Sequence, residues 1–169
     1  MSDQLAQAVE AILFSSNRPL KLRELQQATE AGAKEMQAAL DGLRDALAGR
    51  GIMLQRHGDQ VQLVTRPEVA AYVRRALRPE VTGKLSSAAY ETLAIVAYQQ
   101  PVTKSRIEEI RGVGCDSVLA NLELRSLVVE VGRGGGPGQP KLYGTTMRFL
   151  QVLGLASLAD LPAPGGDAP

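Results

Sequence analysis

Glu10-Ala-Ile-Leu-Phe-Ser-Ser-Asn-Arg-Pro-Leu-Lys-Leu-Arg-Glu-Leu25 and Glu91-Thr-Leu-Ala-Ile-Val-Ala-Tyr-Gln-Gln-Pro-Val-Thr-Lys-Ser-Arg-Ile107 are two versions of one pattern. In the first, Ile12-Leu13-Phe14 precedes Pro19-Leu20 and then Leu25. In the second, Ala94-Ile95-Val96 precedes Pro101-Val102 and then Ile107. Every matched pair lies 82 residues apart, as Pro19 does from Pro101 (101 − 19 = 82). The chain is therefore read as a tandem repeat, and each copy extends outward from this stretch.

In the first copy, Leu5, Val9, Ile12 and Leu13 form one apolar helical face, capped by Ser2 or Asp3. Asn17-Arg18-Pro19 ends that helix, because proline and its predecessor resist continued helix. A short helix follows with Leu22 and Leu25 inward. Gly32 breaks the chain, and Met36, Leu40, Leu43 and Leu47 mark a third amphipathic helix closed by Gly49. Then the period falls from 3.6 to 2. Ile52, Leu54 and Arg56 alternate with Met53 and Gln55, His57-Gly58-Asp59-Gln60 turns, and Val61 and Leu63 return. Pro67 opens a further helix with Val69, Tyr72, Val73 and Ala76 inward.

Arg78 to Lys84 contains proline and glycine and no periodicity, and reads as a linker. The second copy repeats the order. Ala89, Leu93, Val96 and Ala97 define a helix capped by Ser86 or Ser87. Thr103 caps the next, with Val102 and Ile107 as a hydrophobic staple and Ile110 inward. Asp116 caps a third helix carrying Val118, Leu119 and Leu122. Val128 to Val131 and Lys141 to Tyr143 read as strands around a Gly/Pro loop. Thr145 caps a last helix with Phe149, Leu150 and Leu153 inward. Helix, helix, helix, hairpin is the order of a helix-turn-helix with a β wing. The expected fold is mainly α with small β wings (α+β), as two tandem winged-helix domains. Their expected bounds are 1–78 and 85–155, with a linker at 79–84 and a partly disordered tail at 156–169.

Composition limits what such a chain does. It has 169 residues, 44% of them apolar and 22% charged, with a net charge of +1. That balance gives no strong attraction to DNA or an anionic membrane. One Cys and one His cannot build a zinc site of four such ligands, and the lone Cys115 fits a reducing interior. No cofactor is expected. Met1-Ser2-Asp3-Gln4 lacks the start of a signal peptide, and no apolar run is long enough for a membrane helix. A cytoplasmic protein is expected.

The chemistry-bearing residues are few. His57 reads as a solvated turn residue rather than a general base, and Cys115 as a structural thiol at a helix start. Gly132-Arg133-Gly134-Gly135-Gly136-Pro137-Gly138 is followed by a strand, not by the helix and Lys-Ser/Thr of a phosphate loop, so it reads as a wing tip. An enzyme is the weakest class. For DNA, a reader helix needs basic and polar side chains. The third helix of the first copy carries Lys34 and Arg44 against Glu35, Asp41 and Asp45, and its counterpart Arg125 against Asp116 and Glu123, each a net of −1. At most weak DNA contact is expected, through Arg74 and Arg75 (with Arg78) or through Arg133 on the second wing. Tyr90 and Tyr98, eight residues apart on roughly one helix face, are the candidate partner-binding residues.

Leu85 to Val113, Pro137 to Thr146 and Gly154 to Pro162 together resemble the segregation and condensation protein B family, the bacterial condensin accessory subunits. Glu10-Ala-Ile-Leu-Phe-Ser-Ser and Pro19-Leu20 fit as well. The resemblance implies two winged-helix domains and a homodimer formed mainly through the N-terminal ones. It implies binding to the kleisin subunit, segregation and condensation protein A, and through it to the structural-maintenance-of-chromosomes ATPase. It implies a role in chromosome condensation and segregation, near the nucleoid, and no enzyme activity. Gly114-Cys115, the Gly-rich wing and the short Pro/Gly end depart from the family's pattern. The alternative is a DNA-binding winged-helix transcriptional regulator, marked by steep salt dependence on duplex DNA.

Overall fold

The computed structural model describes residues 2–77 and 83–163. They group into two units, 2–77 with 150–161 and 83–149 with 162–163. Most of the expected linker, and residues 164–169 of the expected tail, lie outside the described residues.

In the first unit the order is α1 (Ser2–Ser15), β1 (Leu20–Lys21), α2 (Leu22–Thr29), α3 (Ala33–Ala46), β2 (Ile52–His57) and β3 (Gln60–Thr65). A 3₁₀ turn at Pro67–Val69 leads into α4 (Ala70–Leu77). The three strands form an antiparallel sheet in the order β1-β3-β2, with Leu20 opposite Val61. That is the winged-helix topology. Val9, Leu13, Leu25, Met36, Leu40 and Leu43 fill its core, each buried side chain contributing about 1.5–3 kcal/mol.

Two glutamates organise the helix starts. Glu24 accepts from the Lys21 N–H at the head of α2 (2.7 Å), and Glu35 from the Gly32 N–H at the head of α3 (2.9 Å). Each satisfies an amide that the helix itself leaves unpaired. Arg18 then grips Glu24 with both terminal nitrogens, at 2.6 and 3.2 Å.

The second unit runs α5 (Ser87–Gln99), β4 (Val102–Thr103), α6 (Lys104–Arg111), α7 (Asp116–Leu124), β5 (Val128–Arg133) and β6 (Lys141–Thr145). Its sheet order is β4-β6-β5, with Val102 opposite Tyr143. From β1 to β4 and from α2 to α6 the step is again 82 residues (102 − 20 and 104 − 22). Ser86 caps α5 through Ala89 N–H and Thr103 caps α6 through Arg106 N–H, as expected. Leu93, Val96, Ile107, Leu122, Val128 and Phe149 are its buried centre. The unit boundary falls within α8 (Met147–Leu153).

Several local expectations shift. Tyr72 and Ala76 are exposed, not inward, and the Arg75 guanidinium lies 5.8 Å from the Tyr72 ring centre. Ile110 is exposed because the position one turn beyond Ile107 belongs to Arg111, whose buried side chain pairs with Glu91 at 3.2 Å. Leu153 is exposed at the end of α8, and Val118 is only partly buried. Cys115, not Asp116, precedes α7, and its N–H is satisfied by Glu108 at 3.0 Å; Asp116 pairs with Lys104 instead. Thr145 ends β6, so the cap of α8 passes to Thr146, which accepts from Phe149 N–H at 3.2 Å. Residues 156–163 are described and carry a 3₁₀ turn at Leu158–Asp160.

Candidate interaction surfaces

The chemistry-bearing residues are not brought together. His57 is the last residue of β2, paired with Gln60 across the hairpin rather than sitting in its turn. It is partly buried, and that burial lowers its pKa, favouring the neutral ring. Cys115 is buried at the head of α7, and desolvation raises its thiol pKa, which suits packing and not nucleophilic attack. Among the described residues, no group of three or more His, Cys, Asp or Glu could hold a metal ion. No helix there is long and apolar enough to cross a membrane.

The third helix of each unit is where a winged helix presents itself to a DNA groove. On α3, Arg44 is held by Asp41 at 2.9 Å and lies 3.9 Å from Asp45. At the end of α7, Arg125 donates to Asn121 and to the Gly83 carbonyl. On the second wing, Glu130 takes both Arg133 (2.7 Å) and Lys141 (3.2 Å). Burial lifts the Glu130 carboxyl, and the hydrogen bond and charge of Lys141 and Arg133 more than reverse it. Such exposed pairs contribute only about 0–1 kcal/mol of stability. Their consequence is electrostatic: cations already matched by carboxylates release few counterions on a phosphate backbone. Arg133 is thus spoken for. Arg74 and Arg75 lie exposed in the last turn of α4, and Arg78 falls outside the described residues.

Helix α5 offers a different surface. Ser87, Tyr90, Ala94 and Tyr98 recur at helical spacing and are all exposed, Tyr90 by 54% and Tyr98 by 39%. The opposite face, Ala89, Leu93, Val96 and Ala97, is core. Tyr98 is fixed in place, its hydroxyl donating to the Pro162 carbonyl at 2.7 Å. Ala94 between the rings leaves a step in that face. The sequence pattern located both tyrosines; the Ala94 step and the Pro162 anchor needed the structure.

Two winged-helix units whose presented helices carry more carboxylates than cations define the class: a tandem winged-helix chain without the charge pattern of a groove reader. The comparisons with known proteins narrow it. The family model of the segregation and condensation complex subunit ScpB matches residues 7–164. Segregation and condensation protein B of Alkaliphilus oremlandii is 41% identical over 162 residues, covering 95% of this chain and 88% of that protein. The Carboxydothermus hydrogenoformans protein of that name is 45% identical over 157 residues, covering 92% and 84%. A crystal structure of ScpB from Mycobacterium tuberculosis is 38% identical, covers 92% of this chain and 98% of its own, and has a TM-score of 0.43. A structure of a ScpB N-terminal domain dimer complexed with a ScpA peptide is 27% identical, covers 44% and 95%, and has a TM-score of 0.41. The chain belongs to the segregation and condensation protein B family.

Proposed function

We propose that this chain is a non-enzymatic subunit of a condensin-type complex. It acts as a homodimer, assembled mainly through a first domain spanning 1–78, and holds a segment of the kleisin subunit, segregation and condensation protein A. A second domain spanning 85–155, joined through 79–84, presents Tyr90 and Tyr98 to that segment. Through the kleisin it braces the structural-maintenance-of-chromosomes ATPase at the nucleoid, supporting chromosome condensation and segregation. The observation that carries this reading is the family match over 7–164, which takes in both repeats. Arg44 on α3 and Arg133 and Lys141 on the second wing, each paired with a carboxylate, support a protein partner over DNA.

Light-scattering mass across size exclusion tests it, for the chain alone and mixed with the kleisin's middle segment. A dimer that shifts to a heavier complex is expected, and Tyr90→Ala with Tyr98→Ala should weaken that shift. A monomer that ignores the kleisin and binds duplex DNA with steep salt dependence would replace it with the transcriptional-regulator reading.

A further inference from the structure

Residues 154–161 lie along the β2 edge of the first unit and are built unlike the sheet beneath them. Met53, Leu54 and Gln55 of β2 are buried, and that strand is paired with β3 from Ile52 to His57. By contrast, Leu155, Leu158 and Leu161 are only partly buried, and no residue from Gln151 to Leu161 is buried. Apolar cover therefore contributes little to holding this segment down. It is joined to β2 by the Gln55 side-chain amide, which donates to the Leu155 carbonyl, and by the Arg56 N–H, which donates to the Ala156 carbonyl. Within the segment, Ser157 N–H donates to Asp160 Oδ2 at 2.8 Å, and Asp160 and Leu161 N–H donate to the Ser157 and Leu158 carbonyls at 3.2 Å each. Those bonds close its 3₁₀ turn without help from β2. Both ends are fixed: Leu150 is wholly buried, and the Pro162 carbonyl accepts the Tyr98 hydroxyl. Between these anchors Gly154 stands at a positive φ with its Cα close against the Pro67 ring. Glycine permits that close seat, and it is also a pivot, because it reaches left- and right-handed backbone about equally.

We propose that residues 154–161 are a strap that lifts from β2 as one piece, pivoting at Gly154, while the rest of the first unit stays folded. The unit then has two native states, one with the β2 edge covered and one with it bare. Closed, the strap keeps that edge from pairing with another strand. Open, it gives the Arg56 N–H and the Gln55 amide to water, which replaces the lost bonds. Opening exposes little apolar area, because the strap buries little. Breaking the pairing of β2 with β3 instead bares Leu54 and Val61. The two events therefore differ in the surface they expose, and so in their response to denaturant. The inference does not depend on the kleisin reading.

Native-state hydrogen exchange on the full chain, followed by NMR through low urea, tests it. The Arg56 amide reports the strap, and the amides bonded between β2 and β3 report the sheet. Expected at Arg56 is exchange on the order of tenfold or more faster than at the slowest of those ladder amides, with a flatter urea dependence. Thermolysin cuts before large apolar residues, so cleavage at Leu155 or Leu158 should proceed at a rate that low urea barely changes. Gly154→Ala crowds Pro67 in the closed state only. It should raise both Arg56 exchange and that cleavage by about tenfold, and adding Pro67→Ala should reverse part of the rise. Should Gly154→Ala not fold, exchange in the parent chain alone decides. An Arg56 amide that exchanges at the rate and with the urea dependence of the ladder would overturn the strap, since it would open only with the whole unit. An Arg56 amide with no protection would overturn it too, since the edge would always be bare. Unchanged exchange and cleavage in a folded Gly154→Ala would overturn the pivot.

Discussion

The side-chain amide of Gln55 donates to the carbonyl of Leu155 at 2.6 Å, tying together residues 100 apart in sequence within one unit. Beside it, Arg56 N–H donates to the Ala156 carbonyl at 2.7 Å. Strand β2 is an edge of its sheet, and this segment covers that edge. Gln62 completes the arrangement by donating to Gln55 Oε1 at 2.7 Å. Gln55 is fully buried, so its side-chain amide depends on these partners and not on water.

Replacing Gln55 by Leu keeps the bulk and removes the bonds. The Leu155 carbonyl and the Gln62 amide are then left without that partner. Destabilisation of about 1–3 kcal/mol is expected, read as a lower urea midpoint by circular dichroism. A midpoint equal to that of the parent chain would show that water replaces the amide at no cost.

Gly154 sits at a φ of +67°, and a Cβ there would come within 2.3 Å of Pro67 Cγ. Gly154→Ala therefore meets both a backbone penalty of about 1–2 kcal/mol and a steric one. Adding Pro67→Ala removes the ring carbon and leaves the backbone term. The double variant is expected to recover part of the lost stability and not all of it. Full recovery would mean that the left-handed conformation is not strained by a side chain here.

Glu24 is held down to about 2 by the Arg18 hydrogen bond first and then by the Lys21 backbone N–H. Its unfolded counterpart titrates at about 4.3. With the folded value depressed, its contribution to stability is complete above the unfolded pKa and fades as pH falls toward 2. Carbon-detected NMR titration should find the Glu24 carboxyl still ionised at pH 3 (a value set between those two). Arg18→Gln should move it up toward ordinary carboxylates. A Glu24 that titrates normally in the parent chain would remove the Arg18 clamp.

Cys115 is 1% exposed and its thiol is raised by desolvation. A disulfide-exchange reagent should label it slowly in the native protein and at once in denaturant. Fast native labelling would show that the start of α7 opens readily.

Much of this fold stands in the primary structure. Pro19 and Pro101 each close a helix, and Leu20 and Val102 each begin a short strand, so the repeat can be read before any coordinate is known. Short helices are harder. From Ile107 the apolar Ile110 looks inward, yet Arg111 takes the buried place because Glu91 waits on α5 to neutralise it. Periodicity weighs hydrophobicity and does not know where the opposite charge lies. Strand β2 misleads similarly: Met53, Leu54 and Gln55 are buried in succession, since a distant segment covers the second face. The spacing of eight puts Tyr90 and Tyr98 on one helix face but leaves core and surface equally open, and it is the structure that exposes both rings.

The first unit draws on two stretches of chain, residues up to 77 and the segment 150–161. Synthesis delivers them far apart in time. The ribosome has to emit residues 83–149 of the second unit before Leu155 and Ala156 reach Gln55 and Arg56. Until then β2 waits with an open strand edge. A frameshift or early stop just beyond residue 149 would therefore strike a part of the molecule translated well before it, and quality control that senses exposed strand edges has a long opportunity there.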